Sequence, residues 1–194
     1  MPANYGAISD KNRNKKGILV LAEVSDSFAI KTPASDASAI TTAVNLGELN
    51  ESSVDQQTSK TEIKNEAGVI KYSDFEYTLT TTGTLMERDK LKLDFLSHGC
   101  KGKYYLEYKY LGLVDGKHQE MFKFVQVTPQ HSVKLPGGAT SMKYESTAIF
   151  PDSTISLTST TLGTIETALG ITIYCTGVAI TALQGYVLKE TTAS

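Results

Sequence analysis

Two alternating segments on either side of Asp115-Gly116 limit the fold more than any other feature of this sequence. The segments 104–114 and 119–127 are rich in aromatic and β-branched residues, and Asp-Gly supplies the positive φ angles of a two-residue hairpin turn. One face of the first segment carries Tyr104, Leu106, Tyr108 and Tyr110, and the other carries Lys103, Tyr105, Glu107 and Lys109. The pattern therefore predicts two antiparallel strands.

A strand with a helix start precedes this hairpin. Phe75, Tyr77 and Leu79 share one face of a period-two run, which predicts a half-buried strand that ends near Gly83. Directly after it, Thr84-Leu85-Met86-Glu87 has the T-x-x-E form of a capping box, in which the threonine oxygen and the glutamate carboxylate accept from backbone N–H groups. We therefore expect a helix to begin there.

The end of that helix is predicted from a glycine. Gly99 suits the left-handed residue that follows a helix, and Leu85, Leu93 and Leu96 lie close together on a helical projection. Leu91, Leu93 and Phe95 also alternate as they would in a strand, so a strand remains an alternative for this segment.

The remaining apolar runs are short and are separated by turn residues. They predict strands at 17–24, 44–49, 69–72, 141–150, 155–157, 171–175 and 178–188, and a short helix at 164–169 that Gly170 ends. Many short strands with one or two helices favour a mainly β fold. We expect a β-sandwich or a partly open β-barrel with a flanking α-helix.

Two polar segments flank this β core, within what we expect to be a single domain over residues 1–194. Residues 1–16 form a polar N-terminal arm, and residues 51–66 form a long polar insertion. The alternation in 58–64 is compatible with an exposed hairpin, and a plain surface loop is the alternative. Both segments contain too little apolar surface to be fixed by burial. We expect them to become ordered only on assembly.

Composition indicates a soluble protein that does not grip polyanions. Lys and Arg number 19 against 21 Asp and Glu, for a net charge of -2, and no signal peptide or membrane-spanning segment is predicted. The tyrosines and lysines of KYYLEYKY could stack on nucleic-acid bases, but alternating aromatic residues are more typical of cross-strand core pairs.

The sequence predicts no catalytic, cofactor-binding or metal site. A nucleophile and base would have to come from Cys100 with His98, His118 or His131, and no motif surrounds any of them. Cys100 and Cys175 lack the spacing of a metal site or a disulfide framework. We expect both thiols to be unpaired and largely buried.

The order of these segments resembles the tail tube proteins of long-tailed bacteriophages, to which tube subunits of contractile injection systems are related. The resemblance rests on the polar arm, on the 51–66 insertion, on FEYTLTTTGTLMERDKL before the helix, on KYYLEYKY after it and on KYESTAIFPD late in the chain. It implies hexameric rings that stack into a hollow tube in the virion tail, assembled in the host cytoplasm. The implied partners are further copies of the chain, other tail proteins and the tape measure protein. DNA would pass as a non-specific cargo, without membrane contact.

Three functions therefore compete. A tube subunit should assemble to high order through its sheet edges. A virion decoration or adhesion module would share the β fold but would not polymerise. A small hydrolase would depend on Cys100 or on a histidine such as His98.

Overall fold

The computed structural model of the chain describes residues 3–4, 18–24, 40–85, 90–130, 142–151, 154–181 and 184–193. Within them the strands are β1 Ala3–Asn4, β2 Ile18–Val24, β3 Ile40–Lys64, β4 Ile70–Leu85, β5 Tyr104–Val114, β6 Lys117–Val127, β7 Lys143–Ala148, β8 Ile155–Leu157, β9 Val178–Ile180 and β10 Tyr186–Thr192. The helices are α1 Lys90–Asp94, which continues into a π-helical turn Phe95–Gly99, and α2 Ser159–Leu169.

Six strands form a ring of pairings, in the order β3, β2, β5, β6, β7 and β4, and β4 pairs back with β3. Each of these pairs is antiparallel. β6 and β7 are joined by only three residue pairs, 125–148, 126–147 and 127–146, and β10 pairs with the other half of β6. The mainly β fold is thus confirmed, and its principal sheet curls into a partly open barrel.

The hairpin of β5 and β6 follows its prediction closely. Asp115 and Gly116 form the turn with φ angles of 50° and 72°, and Glu107 lies directly opposite Lys123 in the ladder. Both faces of this hairpin are buried. Tyr105 and Val125 point into the barrel, and the opposite face packs against a second layer.

The barrel interior is an apolar core that the first helical segment closes. Its buried members are Val44, Leu46, Leu49, Leu85, Phe95, Leu96, Cys100, Tyr105, Val125, Val127, Met142 and Tyr144. Phe95 and Leu96 come from the π-helical turn, and the ring of Phe95 meets Tyr105 edge to face at 5.5 Å. The helical segment therefore covers the end of the barrel where β5 begins.

A second layer covers the outer face of β5 and β6. α2 contributes Leu162, Ile165 and Leu169, and the small sheet of β8 and β9 contributes Ile155 and Ile180. These side chains pack with the outward-facing Tyr108, Phe122 and Phe124 of the hairpin. β5 and β6 are therefore sandwiched between two apolar clusters, which explains why the hairpin is aromatic on both faces.

Residues 171–177 join this layer without regular structure, which corrects the strand predicted at 171–175. Two carboxylates take the place of a neighbouring strand as acceptors for three of its N–H groups. The Glu120 carboxylate accepts from the backbone N–H groups of Tyr174 at 2.8 Å and Cys175 at 3.0 Å. Glu166 accepts from the backbone N–H of Ile173 at 2.6 Å. A buried backbone needs such acceptors wherever a strand ladder is missing.

The predicted helix start at Thr84 is wrong, because β4 continues through it. Thr84 pairs with Asn50 on one side and Lys143 on the other, so two neighbouring strands supply what a cap would have supplied. Pairing energy from the barrel overrides the local capping signal. Glu87 lies outside the described residues, and the helix is described from Lys90.

The predicted helix end is nearly correct. Gly99 is the last residue of the π-helical turn, but the left-handed conformation falls three residues later, at Gly102 with a φ of 72°. The strand alternative for this segment is wrong. α2 ends at Gly170 as predicted, with a φ of 63°, and begins at Ser159, earlier than expected, behind the N-cap Thr158.

The cysteine prediction is confirmed, because Cys100 and Cys175 are both buried and unpaired. Of the N-terminal arm, 1–16, the structure describes Ala3–Asn4, which pair in parallel with residues 42–43 of β3. The rest of that arm lies outside the described residues. Residues 51–66 are not a loop but belong mainly to β3, so the hairpin interpretation is confirmed, although its second strand is β4 and lies beyond this segment.

Candidate assembly surface

The most exposed feature of the described chain is a long two-stranded hairpin that extends beyond the barrel. We call residues 54–77 the hairpin arm. β3 and β4 pair from Leu49 opposite Leu85 in the core to Lys64 opposite Ile70 near the tip. A bulge between Asn50 and Ser53, with Glu51 at a φ of 51°, interrupts the ladder near the base of the arm.

The tip of the hairpin arm is a tight, hydrogen-bonded turn. Asn65 accepts from the backbone N–H of Val69 through its side-chain oxygen at 2.8 Å, and its own N–H donates to the Val69 carbonyl at 2.9 Å. Gly68 takes a φ of 77°, which a residue with a side chain rarely adopts. The tip is therefore locally specified although no other part of the described chain supports it.

The hairpin arm carries apolar side chains that no core covers. Side chains along 54–77 are exposed, except for a half-buried Glu62. The exposed large apolar residues of the arm, between 38% and 58% accessible, are Val54, Ile63, Val69, Ile70, Tyr72, Phe75 and Tyr77. Isolated exposed apolar residues are ordinary, but a concentration on one projecting element indicates an interaction surface.

These side chains fall into two groups. Val54, Phe75 and Tyr77 share the face that continues inward to the buried Leu79 and Thr81. Ile63 and Tyr72 are direct cross-strand partners on the other face near the tip, and Val69 and Ile70 lie beside them. One apolar patch thus runs along the base of the arm, and a second sits at its tip.

Charged groups on the arm interact with one another. Lys60 forms an ion pair with Glu62, and its Nζ lies 5.7 Å from the centre of the Phe75 ring. The hydrogen bond from Lys60 lowers the pKa of the Glu62 carboxyl, while the hydrogen bond to Asp74 raises the pKa of the Tyr72 phenol. The exposed faces of the arm are therefore mixed, with charges around the apolar patches.

A groove lies where the hairpin arm meets the body of the protein. Gln56, Tyr77 and Leu79 line one side, and Phe150, Gln184 and Tyr186 line the other, around a volume of about 340 Å³. Gly185, at a φ of 65°, packs so tightly on Phe150 that an added Cβ would lie 2.6 Å from the ring. The body side of the groove is therefore fixed by close packing.

The barrel interior beside the arm contains a buried polar cluster. Glu107 and Lys123, both fully buried, form an ion pair at 3.2 Å. Tyr144 and Ser146 donate to the same carboxylate at 2.5 and 2.6 Å, and Thr81 donates to it at 3.1 Å. Four side chains from three other strands thus converge on one carboxylate in a water-excluded site.

The structure does not bring the predicted catalytic candidates together. The thiol of Cys100 is buried and donates to the Leu96 carbonyl at 3.6 Å, and burial raises its pKa, which lowers the thiolate fraction. His98 is exposed on the helical turn, and His118 lies at the opposite end of β5 and β6, where its Nδ1 bonds to the Tyr110 hydroxyl. His131 lies outside the described residues.

Within the described ranges, no group of three His, Cys, Asp or Glu side chains is placed to hold a metal ion. None of the helices described has the length and apolar character needed to cross a membrane. No protein-family model and no curated protein matches the sequence.

Proposed function

We propose that this protein is a structural subunit that associates with copies of itself through the hairpin arm, forming rings that stack into a hollow tube of the phage-tail kind. The observation that carries this proposal is the arm, which projects seven exposed apolar side chains from a well-packed barrel. Nothing in the proposed function requires a catalytic residue or a bound cofactor.

The energetics of the hairpin arm favour a partner. At about 3.3 Å per residue, the strand from Val54 to Lys64 extends roughly 35 Å. An isolated two-stranded hairpin is at best marginally stable in water. Burial of apolar surface contributes about 25 cal/mol per Å², so covering the two apolar patches would offset part of the cost of ordering the arm. A contact with a second copy of the chain provides such a cover.

The contact would join different surfaces of two copies, since an arm that projects from one barrel meets the body of the next. Repeated around an axis, such a head-to-tail contact closes into a ring, and a further contact along the axis stacks the rings. The balance of 19 basic and 21 acidic residues suits a conduit that lets DNA pass without retaining it. In the virion tail the partners would be other copies, further tail proteins and the tape measure protein.

Assembly is tested by electron microscopy and light scattering of the full chain at increasing concentration. In a shortened variant, Asn-Gly replaces residues 59–76 and connects Thr58 to its cross-strand partner Tyr77 through a two-residue turn. Deleting residues 51–66 alone would be a poor test, because β4 would lose most of its pairing with β3. We expect rings or tubes from the wild type, and folded monomers from the shortened variant.

Point variants test the apolar patch at the base of the arm without changing the length of the arm. Phe75→Ser with Tyr77→Ser should abolish assembly, whereas Leu113→Ser, at a side chain equally exposed beside the β5–β6 turn, should leave it intact. A wild type that stays monomeric at high concentration and near-physiological salt would contradict the proposal and favour the decoration or adhesion module. Assembly by the Phe75 and Tyr77 variant would contradict the role of the arm.

A further inference from the structure

The buried polar cluster places a lysine amine in direct contact with a carboxylate. The Nζ of Lys123 lies 3.2 Å from Oε1 of Glu107, and both side chains are inaccessible to water. The two residues are also direct cross-strand partners on β6 and β5, so the ladder holds their side chains together. Such proximity removes most of the entropic cost of a reaction between them.

The hydrogen bonds around the carboxylate are divided between its two oxygens. Tyr144 at 2.5 Å and Ser146 at 2.6 Å both donate to Oε2. Burial raises the pKa of Tyr144 well above its ordinary value, so its hydroxyl stays a donor. Two donors on one oxygen stabilise the negative charge that develops there when a nucleophile adds to the carboxyl carbon.

The other oxygen has a proton relay. Thr81 accepts a hydrogen bond from the Nζ of Lys123, and its hydroxyl donates to Oε1 of Glu107 at 3.1 Å. One hydroxyl therefore connects the nitrogen that would lose protons with the oxygen that would leave. A hydroxyl in this position can pass a proton from one to the other without net change in itself.

We propose that Lys123 and Glu107 form an isopeptide cross-link inside the barrel, with Thr81, Tyr144 and Ser146 as the groups that promote it. A first proton passes from the ammonium to Oε1, giving a neutral amine and a neutral acid, which a dry interior favours over two charges. The Nζ lone pair then attacks the carboxyl carbon, and the C=O electron pair moves to Oε2. A second proton passes through Thr81 to Oε1. The Oε2 electron pair then re-forms the C=O bond, the carbon–Oε1 bond breaks, water leaves, and one hydrogen remains on the amide nitrogen.

A second buried lysine provides the internal comparison. Lys109, two residues from Glu107 on the same strand face, is 4% exposed, and its Nζ donates to the Ser52 hydroxyl at 2.7 Å. Its nitrogen is thus directed at a hydroxyl, which cannot form an amide. Cross-link formation needs only the folded barrel, so it does not depend on assembly.

The test is the intact mass of the full chain after denaturation. We expect the wild type to be lighter than its sequence by one water, and digestion to yield the peptide that carries Glu107 joined to the peptide that carries Lys123. Lys123→Arg keeps a cation beside Glu107 but removes the amine nucleophile, so its mass should be that of its full sequence. Lys109→Arg, the matched control, should still lose one water.

Kinetics separate a promoted reaction from an adventitious one. When the chain is sampled at intervals after cell-free synthesis, the Thr81→Val variant should lose water roughly 100-fold more slowly than the wild type, as expected for loss of a proton relay. A folded wild type with the full mass of its sequence would overturn the proposal, as would a water loss that persists in Lys123→Arg. The wild-type peptide map decides the matter even if a variant fails to fold.

Discussion

Two antiparallel hairpins of this chain, the hairpin arm and the β5–β6 hairpin, show how differently one kind of sequence pattern can be used. Both alternate side chains between two faces, and both have aromatic residues on each face. The β5–β6 hairpin is buried on both faces, with Phe122 and Glu107 fully inaccessible. The arm exposes Phe75 and Tyr77 at 50% each. The difference lies in what the fold places against each hairpin.

Charged residues make the contrast sharper. Lys123 and Glu107 face each other inside the barrel, where desolvation makes an unpaired charge very costly. Lys60 and Glu62 pair on the arm, where solvent and salt weaken their attraction. The same pair of residue types is thus a structural requirement in one hairpin and nearly neutral in the other.

The largest effect is expected from matched phenylalanine truncations. Phe122→Ala removes a fully buried ring that meets Tyr108 at 5.1 Å, so the free energy of unfolding should fall by about 3–5 kcal/mol. Phe75→Ala removes a half-exposed ring on the arm and should change it by less than about 0.5 kcal/mol in the monomer. Urea unfolding of both variants, below the concentration of assembly, checks this. Equal losses would mean that the arm packs on the body.

A smaller loss is expected from Glu120, the carboxylate that holds residues 171–177. Glu120→Gln replaces an acceptor with an NH₂ group, so the backbone N–H of the half-buried Tyr174 or of the buried Cys175 loses its acceptor. An unsatisfied buried donor costs about 1–3 kcal/mol. Glu76→Gln, at an exposed position on the arm, is the matched control and should leave the urea midpoint unchanged. A Glu120 variant as stable as the wild type would show that the segment can rearrange.

Alkaline pH should weaken the two-layered body and spare the arm. Burial raises the pKa of the Cys175 thiol from 9.0 to about 12, with Glu120 adding to the shift, and burial raises the pKa of Tyr108 further above its ordinary value. Below pH 9 the Cys175 thiol is protonated in both the folded and the unfolded chain, and the fold has its full stability. As pH rises from about 9 through 12, the thiol ionises readily only in the unfolded chain, so the free energy of unfolding falls. The urea midpoint of the wild type should fall across this pH range, and the midpoint of the Cys175→Ala variant should fall less steeply.

The β5–β6 hairpin could be predicted because its signals are local. Asp115-Gly116 fixes the turn, and alternation on both sides fixes the register. The burial of Glu107 could not be predicted, because its partners Thr81 and Tyr144 come from strands distant in sequence. From alternation alone, a charged residue such as Glu107 is assigned to the solvent-exposed face of its strand.

The hairpin arm was predicted only in outline for a similar reason. A polar run such as 51–66 has weak strand propensity, and its pairing with β4 is set by the ladder that starts at Leu49 and Leu85 in the core. The false helix start at Thr84 has the same origin, since a short capping motif cannot compete with two neighbouring strands. The exposure of Phe75 and Tyr77 could not be predicted from this pattern either, because it depends on the arm extending beyond the barrel.

The smallest effect is expected from the charged pair of the arm. Lys60→Met removes the ion pair with Glu62 and the cation above the Phe75 ring, both in solvent, so the urea midpoint of the monomer should not change measurably. Lys123→Met leaves the Glu107 carboxyl buried without the partner it has in the wild type, either as an ion pair or as the proposed amide, and should lower the midpoint strongly. Raising the salt concentration should leave this difference in place, because a buried pair is screened much less than an exposed one. A strong loss of stability from Lys60→Met would show that this charge is buried against the body, and the contrast between the two hairpins would then fail at this position.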